Sequence, residues 1–227
     1  KWKGVCWVGG RQPLTGGEVD ALFSTGANAL SQTPFGWQSD KNSPEIRWDM
    51  SNDRRWWGET PLGIKATMDS TSRFGMMNML KPHLWVREAW VGEIEMKSEE
   101  DWKSWFTNYQ AFILDYSRLA EELKMPVLCV GTELEKTSTR EKEWRAVIAE
   151  IRKVYSGKLT YAANFTEFEQ VKFWDALDYI GVQAYFPLAK KHNPTLQELM
   201  QSWNSHLPQI EKVIRKFKKP VLFTEIG

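Results

Sequence analysis

Pro126-Val127-Leu128 leading to Thr132-Glu133, and Pro220-Val221-Leu222 leading to Thr224-Glu225, are one phrase written twice. Each is a short apolar run entered by a proline and closed by a carboxylate, the pattern of a strand that ends at a turn. The first is followed by a helix signature, Ser138 and Glu141 at capping-box spacing with Trp144, Val147, Ile148, Ile151 and Val154 on one face. The second is preceded by another, in which Thr195 and Glu198 have the same spacing. Strands alternating with amphipathic helices mark βαβ units around a parallel sheet.

Worked outward, the pattern gives seven units. Strands are expected at 4–8, 27–32, 76–86, 127–132, 159–163, 179–185 and 221–224. Helices are expected at 18–24, 61–73 with Pro61 at its first position, from Ser98 onward, from Ser138 onward, at 167–176, and from Thr195, where Pro208 should interrupt or restart the turn. The helix after Ser98 is the clearest. Glu99, Glu100 and Asp101 favour its positive end, and Trp102, Trp105, Phe106, Tyr109, Phe112, Ile113, Tyr116 and Leu119 recur at helical spacing as core. Residues 33–59 lack periodicity and read as a long functional loop carrying Phe35, Trp37, Trp48, Trp56 and Trp57. The fold class is therefore α/β, a (β/α)8 TIM barrel with seven units visible and the eighth missing. An eight-unit barrel runs to roughly 250 residues. Residues 1–227 are accordingly expected to be a single catalytic domain, C-terminally incomplete by on the order of 50 residues or more.

Composition narrows the function. With 42% hydrophobic residues the chain can bury a core, so disorder is excluded. Its 30 basic and 29 acidic residues form no polybasic block, which argues against nucleic acid as a partner. Two cysteines, Cys6 and Cys129, rule out a disulfide scaffold and a zinc ribbon. No apolar run approaches the roughly 18 to 20 residues of a membrane span. Tryptophan is several-fold in excess, 13 of 227 residues, which suggests flat stacking surfaces beside helix packing.

Functional groups of such barrels sit at the C-terminal strand ends. Those ends supply Trp7, Gln32, Lys81, His83, Trp85, Glu133, Asn164, Gln183, Tyr185 and Glu225, a polar, aromatic and acidic set suited to hydroxyl-rich substrates. Glu133 and Glu225 come from the fourth and seventh strands, which face each other across the mouth. Glycoside hydrolysis needs such a pair, one carboxyl protonated for the leaving oxygen and one ionised at the anomeric carbon.

The segments Leu80-Lys81-Pro82-His83-Leu84-Trp85, Gly131-Thr132-Glu133-Leu134, Tyr161-Ala162-Ala163-Asn164, Gln183-Ala184-Tyr185 and Phe223-Thr224-Glu225-Ile226-Gly227 resemble glycoside hydrolase family 113, in order over almost the whole chain. The resemblance implies a retaining hydrolase of β-1,4-mannan, with Glu133 as acid/base, Glu225 as nucleophile and Tyr185 hydrogen-bonded to the nucleophile. It further implies Lys81, His83 and Asn164 as hydroxyl-binding groups. Many families of the same clan have Asn before the acid/base; Thr132 stands there in this chain, and Asn164 is the candidate substitute for the 2-hydroxyl contact.

Trp7, Trp37, Trp57 and Trp90 are candidate pyranose platforms, while Glu59, Glu88 and Glu93 have no assignable partner and Glu135 reads as a helix-entry charge. No cofactor or metal is called for, because His83, His192 and His206 are far apart. A Schiff-base barrel would rest on Lys81 alone, next to Pro82 and without phosphate-type glycine loops. The rival from another class is a barrel of the same ancestry that binds glycans or scaffolds a partner without turning them over. The expected partner is a poly- or oligosaccharide, the expected state a monomer, and the expected location secreted or periplasmic.

Overall fold

The computed structural model describes residues 1–50 and 55–227. In chain order the elements are β1 (Gly4–Trp7), α1 (Gly17–Ser24), β2 (Ala29–Gln32), β3 (Phe35–Gln38), β4 (Ile46–Arg47), α2 (Pro61–Ser72), β5 (Met77–Leu80), β6 (His83–Val86), α3 (Glu99–Glu122), β7 (Val127–Thr132), α4 (Glu135–Ser138), α5 (Glu141–Val154), β8 (Lys158–Asn164), β9 (Tyr179–Ala184), α6 (Leu196–Phe217) and β10 (Val221–Ile226). Seven strands form one sheet in the order β1-β2-β5-β7-β8-β9-β10. Every neighbouring pair in it is parallel. This is the sheet of a (β/α)8-type barrel, curled until the Cys6 thiol of β1 lies 3.8 Å from the Thr224 carbonyl of β10.

The main core lies between the sheet's outer face and the helices. The α3 stripe is buried as its spacing predicts, and Trp105 stacks on Tyr109 at 4.9 Å. Trp144 of α5 stacks on Phe173 at 5.5 Å. Buried indoles also need a partner for their N–H. Trp105 finds Gln38 Oε1 at 3.0 Å, Trp144 the Thr137 carbonyl at 3.0 Å, and Trp174 the Phe168 carbonyl at 3.0 Å. Gly131 is packed so tightly that a Cβ would stand 2.7 Å from Trp144 and 2.8 Å from Tyr161.

Five expectations are corrected. The run 76–86 is not one strand, because Lys81 and Pro82 divide it into β5 and β6. The stretch 33–59 is not all loop: it contributes β3 and β4 to a second sheet of order β4-β3-β6, while 51–54 of that stretch lie outside the described residues. Pro34 and Pro82 carry no N–H for a ladder, so both chains leave the barrel sheet there and pair again beyond it. Lys81 N still donates to the Gln32 carbonyl and His83 N to the Pro34 carbonyl, each at 2.8 Å, which keeps the two chains side by side through the break.

The Ser138–Glu141 capping box does not form. The Ser138 hydroxyl donates to the Glu135 carbonyl inside α4, and Arg140 occupies the N-cap of α5. The predicted helix at 167–176 is a run of turns ending in a 3-10 turn at Trp174–Ala176, since Phe168, Val171, Phe173 and Trp174 are all buried and leave no single polar face. Pro208, by contrast, lies inside a continuous α6. It and Asn204, whose carbonyl loses its partner, are both exposed, so water can satisfy the group. The Thr195–Glu198 box is formed in full.

Candidate active site

Glu133 follows β7 and Glu225 lies within β10, and at both places the ladder slips. Cys129 pairs with Thr160 and Thr132 with Ala162, so β7 carries one extra residue against β8. Phe223 pairs with Val182 and Glu225 with Gln183, the same excess on β10 against β9. Such a bulge re-aims side chains. Strict alternation would send either Thr224 or Glu225 to the outer face. With the slip, both reach Gln183, whose Oε1 accepts from the Thr224 hydroxyl at 2.9 Å and whose amide bonds the Glu225 carboxylate. Glu133 completes its turn at φ 53, a left-handed conformation unusual for a residue with a side chain.

The two carboxyls meet opposite surroundings. Burial on its own would raise Glu225, but the Lys81 ammonium and donors from Tyr185 and Gln183 outweigh it and hold the carboxyl at about 2. Tyr185 OH donates to Oε2 at 2.7 Å, and Lys81 ion-pairs with Oε1. That hydrogen bond in turn raises the Tyr185 phenol to about 12, so it stays a donor. Glu133 is raised. Burial is the main cause and the negative charge of Glu225 adds to it, against hydrogen bonds from Trp90 and Asn164. Trp90 Nε1 donates to Oε2 at 3.3 Å and Asn164 Nδ2 to Oε1 at 3.0 Å.

Beside the pair stands an aromatic wall. β3 and β6 are parallel, with Phe35 opposite His83 and Trp37 opposite Trp85. These four share one face, with ring centroids 5.4 Å apart for Phe35–His83, 6.4 Å for Phe35–Trp37 and 6.1 Å for Trp37–Trp85. Trp37 and Trp85 are 51% and 55% exposed, a large apolar area left open on purpose-built strands. They line a cleft of about 510 Å³ with Val8, Trp48, Trp56 and Arg55 among its other walls. That size is ordinary for a small-ligand site.

Of the residues singled out in the sequence, the structure brings together Glu133, Glu225, Lys81, Asn164, Gln183, Tyr185 and Trp90. Lys81 is fully buried and its three donors go to Glu225, the Thr224 carbonyl at 3.5 Å and Cys6 Sγ at 3.4 Å, where a sugar hydroxyl was expected. Asn164 is likewise committed, its Oδ1 accepting from Thr166 N at 3.2 Å while its amide serves Glu133. His83 is driven down to about 3 by burial and by the Lys81 cation, hence neutral, and its Nε2 has no partner among the described residues. Trp7 is not brought to the mouth: with Val5 and Leu22 it packs on the cluster of Ala27, Leu30 and Met76. Glu59 has a partner after all, Arg55 at 3.3 Å. Among the described residues no group of three His, Cys, Asp or Glu side chains could hold a metal ion, and no helix is long and apolar enough to cross a membrane.

Sequence reasoning missed Cys6 and Glu167. Cys6 gave no signal beyond its place on β1. Glu167 gave one, the Asn164-x-x-Glu167 spacing of a capped turn, in which Glu167 Oε2 accepts from Asn164 N at 3.0 Å.

The family profile described as Glycoside Hydrolase Family 113 matches residues 11–227. The chain belongs to glycoside hydrolase family 113. It is thus a glycoside hydrolase, and the resemblance carried by its five motifs is the correct one. The β-mannanase AaManA of this family from Alicyclobacillus acidocaldarius, solved in complex with ManMIm, is 25% identical over 99% of this chain and 70% of its own, with a TM-score of 0.84. A family 113 β-1,4-mannanase is 26% identical over 100% of this chain and 72% of its own, with a TM-score of 0.82. A broad-specificity endoglucanase from Clostridium longisporum shares the fold, with 13% identity, 95% and 67% coverage and a TM-score of 0.68. No curated protein matches the chain at a significant level.

Proposed function

We propose that this hydrolase cleaves β-1,4-linked mannan or manno-oligosaccharides by a retaining double displacement. The observation that carries the reading is the contrast between the two carboxyls, Glu225 held ionised by Lys81 and Tyr185, and Glu133 pushed towards its protonated form. In the first step a Glu225 oxygen attacks the anomeric carbon, the glycosidic bond breaks, and the Glu133 proton passes to the departing oxygen. In the second, Glu133 takes a proton from water, which attacks the same carbon and frees Glu225. Neutral His83 is the group we assign to a sugar hydroxyl on the strength of the family resemblance, and the Trp37–Trp85 wall is the surface we assign to pyranose faces. The mannan specificity is supported by the family 113 β-mannanases that the chain resembles.

The test is release of reducing ends from mannan, glucan and xylan, with proton NMR of the anomer formed first. Mannan cleavage with the β-anomer appearing first is expected, and abolished in Glu133→Gln and Glu225→Gln. An α-anomer first, or full activity in either variant, overturns the mechanism; preference for glucan or xylan overturns the substrate.

A further inference from the structure

One more carboxylate lies buried beside the pair and takes no part in the chemistry above. Glu167 is 1% exposed. Its Oε1 accepts from Tyr161 OH at 2.6 Å and its Oε2 from the Asn164 backbone N–H at 3.0 Å. Both bonds lead to Glu133. The Tyr161 oxygen accepts in turn from the N–H of Leu134 at 2.9 Å, the amide directly after Glu133. Asn164 is the residue whose side chain donates to Glu133 Oε1. The strained backbone of Glu133 is therefore held on both sides, by its own N–H on the Ala162 carbonyl at 2.8 Å and by Leu134 on Tyr161. A left-handed residue with a side chain persists only where its surroundings over-determine it.

We infer that Glu167 is a positioning residue for the acid/base, fixing the backbone of Glu133 through Tyr161 and its carboxyl through Asn164. The inference rests on the reading of Glu133 as acid/base. A burial role alone would make Glu167 matter equally for every substrate. A positioning role makes it matter in proportion to the need for proton donation, because a displaced acid fails only where the leaving oxygen must be protonated. Misplacement by about 1 Å is enough to lower a rate by about 10²-fold.

The experiment compares kcat/KM for β-1,4-mannohexaose, whose leaving group needs a proton, with 2,4-dinitrophenyl β-mannobioside, whose leaving group does not. Glu167→Gln and Tyr161→Phe are each expected to lose about 10²-fold on the first and less than about threefold on the second, as general acid catalysis is worth that much. Tyr161→Phe decides the matter if Glu167→Gln does not fold. Equal losses on both substrates, or no loss on either, overturn the positioning role while Glu133→Gln still discriminates between them. If Glu133→Gln itself loses equally on both, the assignment of Glu133 falls and the positioning role falls with it.

Discussion

Lys81 and Glu225 form an ion pair between β5 and β10, with the ammonium fully buried and the carboxylate side chain 19% exposed. Removing one member of such a pair leaves the other uncompensated, at a cost of about 3–5 kcal/mol. In Lys81→Met the charge and hydrogen bond that do most to counter burial are gone, and Glu225 moves up from about 2. Activity should fall by roughly 10²-fold or more. The acid limb of the kcat/KM profile should move to higher pH, read by initial rates across that limb.

Trp90 donates to the ionised form of Glu133 and so works against the burial that raises it. Trp90→Phe removes the donor and keeps most of the ring. The protonated acid is then favoured further, and the basic limb of kcat/KM shifts upward. A limb that stays in place in a folded variant would show that this hydrogen bond is not made in solution.

Glu167 leaves a separate mark on stability. Burial raises its carboxyl from 4.5 to about 7. The folded protein therefore holds the proton more tightly than the unfolded chain, so this contribution is fully present below about pH 4.5 and is lost as pH rises through about 7. At about 1.4 kcal/mol per unit the loss is on the order of 3 kcal/mol. Glu167→Gln does not titrate, so the stability difference between wild type and variant should move against wild type between about pH 5 and about pH 8, measured by urea unfolding at each.

Trp37 and Trp85 face the cleft and contribute little to the core. Replacing either by Ala should raise KM for long manno-oligosaccharides by roughly tenfold, about 1.4 kcal/mol, with kcat nearly kept, the signature of lost uniform binding. A fall in kcat with KM unchanged would remove this wall from the binding surface.

Most of the barrel was legible because its signals are local. The apolar run 127–132 matches β7 residue for residue, and the α3 stripe and the Thr195 box need only their own spacing. Glu133 and Glu225 were legible as strand-end carboxylates in a repeated phrase. What could not be read depends on partners distant in the chain. The small sheet pairs Phe35 with His83 across 48 positions, and its strands of two to four residues are too short for a period to show. Ser138 and Glu141 had the spacing of a box, yet a short helix already claims the Ser138 hydroxyl. The role of Lys81 followed from neither spacing nor composition, since its partner lies 144 residues away.

The wall built on β3 and β6 has a consequence for how this enzyme can change. Barrel enzymes usually diversify through rim loops whose lengths vary freely. Here Lys81 and Trp85 lie on one short run of chain, the first locked beside Gln32 and the second in register with Trp37. An insertion between them would pull either the Lys81 ammonium from Glu225 or one indole from the other. On the proposed reading, grip and chemistry are thus tied to one stretch of chain, and a new sugar preference would come from exchanging side chains on a wall of fixed length.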